Sequence, residues 1–168
     1  MANLFHPRLS ALALLAASAA VLGSALISQY VGGLEPCVLC IYQRVPYAAT
    51  ISLAIIGFVM SGSPRSVGAV HGLATIAFLI GAGIAAYHVG VEQQWWAGSA
   101  ECTGAAAGSA QSVDELRAQI MSAPAVRCDE VAWSLFGISM AGYNFLVSLV
   151  LAAFAALADH ANFQRGTS

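Results

Sequence analysis

Four cysteines carry the chemistry this sequence can do. Cys37-Val38-Leu39-Cys40 sets two thiols three positions apart directly after Pro36, and Cys102 and Cys128 follow further along the chain. A disulfide across C-x-x-C closes so short a loop that it gains little entropic stabilisation, which suits a redox couple better than a staple. A Cys40 thiolate at the start of a helix would meet free backbone N–H groups and the positive end of the helix dipole. Cys102 and Cys128 close a longer loop, which a bond would stabilise by about 3–4 kcal/mol on the chain-entropy estimate. That pair reads either as a staple or as an exposed disulfide that accepts electrons from a soluble partner.

The elements that must hold these thiols are membrane spans. Of 168 residues, 59% are hydrophobic and 8% charged, against roughly 25% charged in ordinary soluble domains. Mean hydropathy is +0.77, so lipid must be the solvent for much of the chain. A net charge of −2 and the absence of lysine exclude the basic stripe that nucleic-acid binding needs.

The sparse charges mark four intervals. Residues 9–34, 45–64, 66–91 and 131–158 carry none, and each reaches the roughly 20 residues that a helix needs to cross the hydrocarbon core. The spacing predicts helices over 9–31, 42–61, 66–88 and 136–158. A lone strand would leave backbone groups unpaired in lipid. Ser61-Gly62-Ser63-Pro64-Arg65 is a tight turn that makes the second and third spans antiparallel neighbours. The expected fold is an all-α membrane protein, residues 1–168 as a single membrane domain. It is a four-transmembrane-helix antiparallel bundle with two extracytoplasmic loops, about 32–41 and 89–135. In the second loop Ser112-Val113-Asp114-Glu115 reads as a capping box. Val113, Leu116, Ile120 and Met121 then form one face of a short surface amphipathic helix. Arg8, an apolar run and Ala17-Ser18-Ala19 also suit a cleaved signal peptide. The uncharged run is too long for a signal core and ends in Gln29-Tyr30, so a retained helix is expected.

Orientation follows from the cysteines more than from the arginines. Arg8, Arg65 and Arg165 fall on one side, and Arg44, Arg117 and Arg127 on the other. Only the shorter segments of the first set favour it as cytoplasmic, which puts both termini there. The acidic residues are nearly all opposite: Glu35, Glu92, Glu101, Asp114, Glu115, Asp129 and Glu130. All four cysteines share that second side, outside the spans. Disulfides persist outside the cytoplasm.

Arg44 follows Cys40 by one helical turn if the helix has already begun, although Pro46 favours a start near itself. A guanidinium at this depth either snorkels as an anchor or stabilises negative charge, on the Cys40 thiolate or on the oxygen of a quinone. His88, near the outer end of the third span, is either an interfacial anchor or an aid to quinone protonation. His6, His71 and His160 lie toward the other face. Trp95, Trp96 and Trp133 read as interface-belt residues. No metal is expected, because zinc favours two closely spaced pairs, whereas Cys102 and Cys128 stand far apart and Arg44 adds positive charge.

Glu35-Pro36-Cys37-Val38-Leu39-Cys40-Ile41-Tyr42-Gln43-Arg44 closely resembles the signature of the disulfide bond formation protein B (DsbB) family, P-C-x-L-C followed shortly by an arginine. Tyr87-His88-Val89-Gly90-Val91-Glu92, Trp96 and Cys102 resemble its second-loop pattern. Cys128-Asp129-Glu130, Trp133, Phe136-Gly137 and Ser139-Met140 resemble the stretch entering its last helix.

The resemblance implies a thiol oxidase of the bacterial inner membrane that reoxidises a DsbA-like periplasmic partner and uses ubiquinone or menaquinone. Cys37 and Cys40 would pass electrons to the quinone, with Cys40 nearest the ring and Arg44 beside it. Cys102 and Cys128 would meet the partner, with Cys102 the site of the mixed disulfide. The Ala-, Gly- and Ser-rich stretch 103–110 departs from the pattern where that partner would touch. Two rivals remain: a quinone-dependent enzyme of epoxide-reductase type, which usually places its C-x-x-C late in the chain, and a non-enzymatic membrane scaffold with structural disulfides.

Overall fold

The computed structural model describes residues 5–99, 102, 112–122 and 126–166. Its helices are α1 (Pro7–Tyr30), α2 (Val38–Tyr42), α3 (Arg44–Val59), α4 (Pro64–Glu92), α5 (Val113–Ser122) and α6 (Met140–Arg165). A small antiparallel hairpin, β1 (Ser134–Leu135) and β2 (Ile138–Ser139), precedes α6. Four segments are long and apolar enough to cross a membrane: α1, α2 joined to α3, α4, and α6. The protein is a four-span helical membrane bundle, as the charge-free intervals predict.

Proline sets several boundaries. Pro7 and Pro64 occupy the first turns of α1 and α4, where a missing N–H costs nothing. Pro46 accounts for the break between α2 and α3. It offers no N–H to the Tyr42 carbonyl and its ring crowds that carbonyl, so the helix is interrupted at Gln43. Residues 38–59 nonetheless remain one span.

In the bundle α3 packs against both α1 and α4, and α4 lies along α6, while α1 and α6 meet only sparingly. The core joins Leu14, Ala54, Ala74, Ala152 and Ala155 to an edge-on pair, Tyr47 and Phe78, with ring centroids 5.8 Å apart. Small residues let backbones close in: a Cβ on Gly81 would meet Pro46 at 3.3 Å, and one on Gly57 would meet Val70 at 3.3 Å. Ile27, Ile76, Ile80, Val150 and Leu157 point outward, as lipid contact requires.

Two hydrogen bonds gather one end of the bundle. Arg8 Nε donates to Ser61 Oγ at 3.1 Å, and Arg165 Nη1 donates to the Phe5 carbonyl at 2.7 Å. The cysteines lie at the opposite end.

The elements depart from the expected boundaries in three places. The second span begins at Val38 instead of 42. α4 runs one turn past 88 to Glu92, whose carboxylate accepts a hydrogen bond from Ser139 Oγ. The last helix begins at Met140 rather than 136 and runs on to Arg165 instead of 158. Phe136 and Gly137 both have positive φ, 51° and 77°, which makes the two-residue hairpin turn matched to strand twist. Ser139 then caps α6 by accepting from Gly142 N at 3.1 Å.

In the long loop Ser112 caps α5, accepting from Glu115 N at 3.2 Å, and Val113 and Met121 stand exposed. Glu101, the stretch 103–110 and the side chains of Leu116 and Ile120 lie outside the described residues.

Candidate functional site

The site is built on the amino end of α2. Cys37 is its N-cap, and its Sγ accepts from Cys40 N at 3.3 Å, the role usually taken by a serine or aspartate oxygen. The Cys40 N–H therefore serves the Cys37 sulfur at the amino end of α2. The two Sγ atoms stand 2.9 Å apart. Cys40 sits half-buried in the first turn, one turn before Arg44.

The second pair packs directly behind the first. Cys37, Leu39, Val91, Cys102 and Cys128 form one buried cluster, with Cys40, Ile84 and Val126 against it. Cys102 and Cys128 are fully buried, and Cys128 N donates to the Cys102 carbonyl at 3.0 Å. Leu39 packs against Cys128 in this cluster, so both pairs meet at the amino end of α2. All four cysteines are thiols in this structure. The hydrogen bond to Cys40, and then burial, push the Cys37 thiol up to about 12, with His88 opposing. Burial, followed by the hydrogen bond to Cys102, pushes Cys128 upward as well.

On its other side the pair opens on a cavity of about 620 Å³, within the range of small-molecule sites. Leu22 and Ala25 of α1 and Met140, Ala141 and Val147 of α6 supply apolar wall. Cys37, Cys40, Arg44, His88 and Glu92 supply the polar groups. The cavity lies where α1 and α6 scarcely touch. Arg44 Nη1 donates to Gln29 Oε1 at 2.6 Å, and among the described residues it pairs with no carboxylate.

His88 is buried beside Cys37, with Nε2 3.6 Å from the sulfur and 3.8 Å from Glu92 Oε1. The ligand atoms of Cys37, Cys40 and His88 lie within 4.8 Å of one another, close enough to share a thiophilic ion. The 2.9 Å between the sulfurs is shorter than the roughly 3.8 Å between two thiolates on tetrahedral zinc.

The six residues singled out from sequence therefore meet at one end of the bundle. Sequence reasoning missed Gln29, Gln43, Tyr47, Asn144 and Ser148, although polar side chains inside apolar spans are themselves a signal that partners await them. Trp133 is exposed, as an interface residue would be, and also lines the cavity wall. Trp95 and Trp96 are exposed.

Comparison with known proteins decides the family. The family model for disulfide bond formation protein DsbB matches residues 7–158. The chain belongs to the DsbB family. A disulfide bond formation protein B 1 of Pseudomonas fluorescens is 32% identical over 139 residues, covering 83% of this chain and 75% of that protein. A disulfide bond formation protein B of Aromatoleum aromaticum is 29% identical over 158 residues, covering 90% and 91%. An uncharacterized protein of Rickettsia prowazekii is 28% identical over 147 residues, covering 87% and 84%. No solved structure matches. As a DsbB-family protein the chain is a multi-pass membrane disulfide oxidoreductase, and its two adjacent cysteine pairs suit successive thiol–disulfide exchange.

Proposed function

We propose that this protein reoxidises a DsbA-like, thioredoxin-fold dithiol oxidase in the periplasm and passes the electrons to a membrane quinone, ubiquinone or menaquinone. It would sit in the bacterial inner membrane with both termini cytoplasmic and the cysteine end outside. The observation that carries this reading is the single buried cluster of both cysteine pairs against an apolar cavity holding Arg44 and His88.

The relay balances at each step. A partner thiolate attacks the Cys102–Cys128 bond at Cys102, forming a mixed disulfide and releasing Cys128 as a thiolate. The partner's second thiolate closes its own disulfide and leaves both loop cysteines reduced. A loop thiolate attacks Cys37, which expels Cys40 as a thiolate. The other loop thiolate then re-forms the loop disulfide and frees Cys37. The packing of Cys37, Cys102 and Cys128 in one buried cluster, with Cys40 against it, supports exchange by direct attack.

The cavity suits a quinone head: apolar walls from α1 and α6, the Cys40 sulfur, and a guanidinium that among the described residues meets Gln29 and no carboxylate. When bound, the quinone would accept two electrons and two protons and so drive Cys37 and Cys40 back to the disulfide. Arg44 would hold the negative charge gathering on its oxygen, and His88 lines the same cavity.

Trapping tests the partner half. In a Cys128→Ser variant the mixed disulfide at Cys102 should persist, and the protein captured should be a thioredoxin-like dithiol oxidase. No adduct, or one formed at Cys37 instead, would contradict the relay.

A further inference from the structure

Between the cysteine pair and the middle of the bundle, five polar side chains, from α3, α4, α6 and the break between α2 and α3, form one unbroken file. His88 Nδ1 faces Gln43 Nε2 at 2.7 Å. Gln43 Oε1 accepts from Asn144 Nδ2, and Asn144 Oδ1 accepts from the Tyr47 hydroxyl at 2.6 Å. The Tyr47 oxygen lies 2.8 Å from Ser148 Oγ. Its own proton is given to Asn144, so Ser148 donates. Gln43, Tyr47, His88 and Ser148 are all buried.

The sense of the file follows from its ends. His88 Nε2 faces Cys37 Sγ at 3.6 Å and Glu92 Oε1 at 3.8 Å, both electron-rich, so the ring proton belongs on Nε2. Nδ1 must then accept, and the Gln43 amide is the donor that meets it. An amide N–H does not surrender its proton. A proton on Nδ1 would break that bond unless the Gln43 and Asn144 amides both turned over. That turnover would go against the order in which Tyr47 donates to Asn144 and Asn144 to Gln43, in a region where unmet polar groups are costly.

We infer that Gln43, held in turn by Asn144 and Tyr47, is a positioning residue that fixes His88 as an Nε2–H donor to the Cys37 sulfur. His88 then serves exchange by holding negative charge on Cys37, not by ferrying a proton to the quinone. When the loop disulfide re-forms, the electron pair of the broken bond leaves on Cys37, and the Nε2–H lies beside it. The role in exchange rests on the thiol-oxidase reading, whereas the tautomer does not.

The test is the ring nitrogen spectrum of His88 in 15N-labelled, quinone-free protein, joined to single-turnover exchange between the two cysteine pairs. Wild type should show protonated Nε2 and bare Nδ1. Gln43→Glu puts an acceptor at Nδ1 and should move a proton there, slowing exchange at least ten-fold. Tyr47→Phe loses one hydroxyl only. It should show part of the Nδ1–H signal and slow exchange two- to five-fold, which keeps the test alive if Gln43→Glu does not fold. A wild-type proton on Nδ1, or Tyr47→Phe indistinguishable from wild type in both measurements, overturns the inference. If wild type fails to pass electrons from a dithiol to quinone, the proposed function falls while the ring spectrum still decides the tautomer.

Discussion

The guanidinium of Arg44 is held by the side-chain oxygen of Gln29 at 2.6 Å, a neutral partner from the neighbouring helix. Gln29 orients the charge without neutralising it, which leaves the cation for an anion or a polarised oxygen in the cavity. A hydrogen bond to a charged group is worth about 1.5–3 kcal/mol. Arg44→Ala should therefore lower kcat/KM for a soluble quinone about ten- to hundred-fold, and leave exchange with the dithiol partner in a quinone-free single turnover unchanged. Steady-state kinetics with each substrate varied would check the split.

The Cys37 thiol should be unreactive at neutral pH once its pair is reduced. Its ordinary value of 9.0 is raised to about 12 by the hydrogen bond to Cys40 and by burial. A raised value means the folded protein holds this proton more tightly than the unfolded chain. The stability contributed by Cys37 is thus complete below about pH 9 and is lost as pH rises toward 12. Alkylation of the reduced protein by iodoacetamide, read by mass spectrometry, should label Cys37 increasingly across that window. Full labelling at pH 8 would contradict the burial.

Gly90 lies beneath the Trp96 ring, which stacks on Tyr87 with centroids 6.0 Å apart. A Cβ at Gly90 would fall 1.9 Å from Trp96 Cζ2, so the ring must move. Gly90→Ala should cost about 1–3 kcal/mol, as overpacking does, and should lower the Tm in detergent. In a Trp96→Ala background the same change should cost almost nothing, and a double-mutant cycle would measure the difference.

Much of this was legible beforehand. Charge-free intervals located the spans, and cysteine spacing with Arg44 marked residues that the fold brings together. The boundaries were less readable where a charge is satisfied by a distant residue. Glu92 lies in the last turn of α4, where Ser139, far along the chain, donates to it. The start of α6 was displaced by the left-handed pair Phe136 and Gly137, a backbone state that only glycine hints at. Gln43, Tyr47 and Asn144 went unread because their meeting depends on how α3, α4 and α6 pack, which no periodicity encodes.

Orientation has its own test. With the Arg8, Ser61 and Arg165 end in the cytoplasm, alkaline phosphatase fused after Ser168 should be inactive, and the same enzyme inserted within 103–110 should be active. The reverse pattern would place the cysteines in a reducing compartment.

The most direct measurement mixes purified protein, a reduced thioredoxin-like oxidase and a water-soluble quinone, and follows quinone absorbance. Wild type should form one hydroquinone for each partner disulfide made, and a variant with both Cys37→Ser and Cys40→Ser should show none above background. Quinone reduction that survives in that variant would contradict the account.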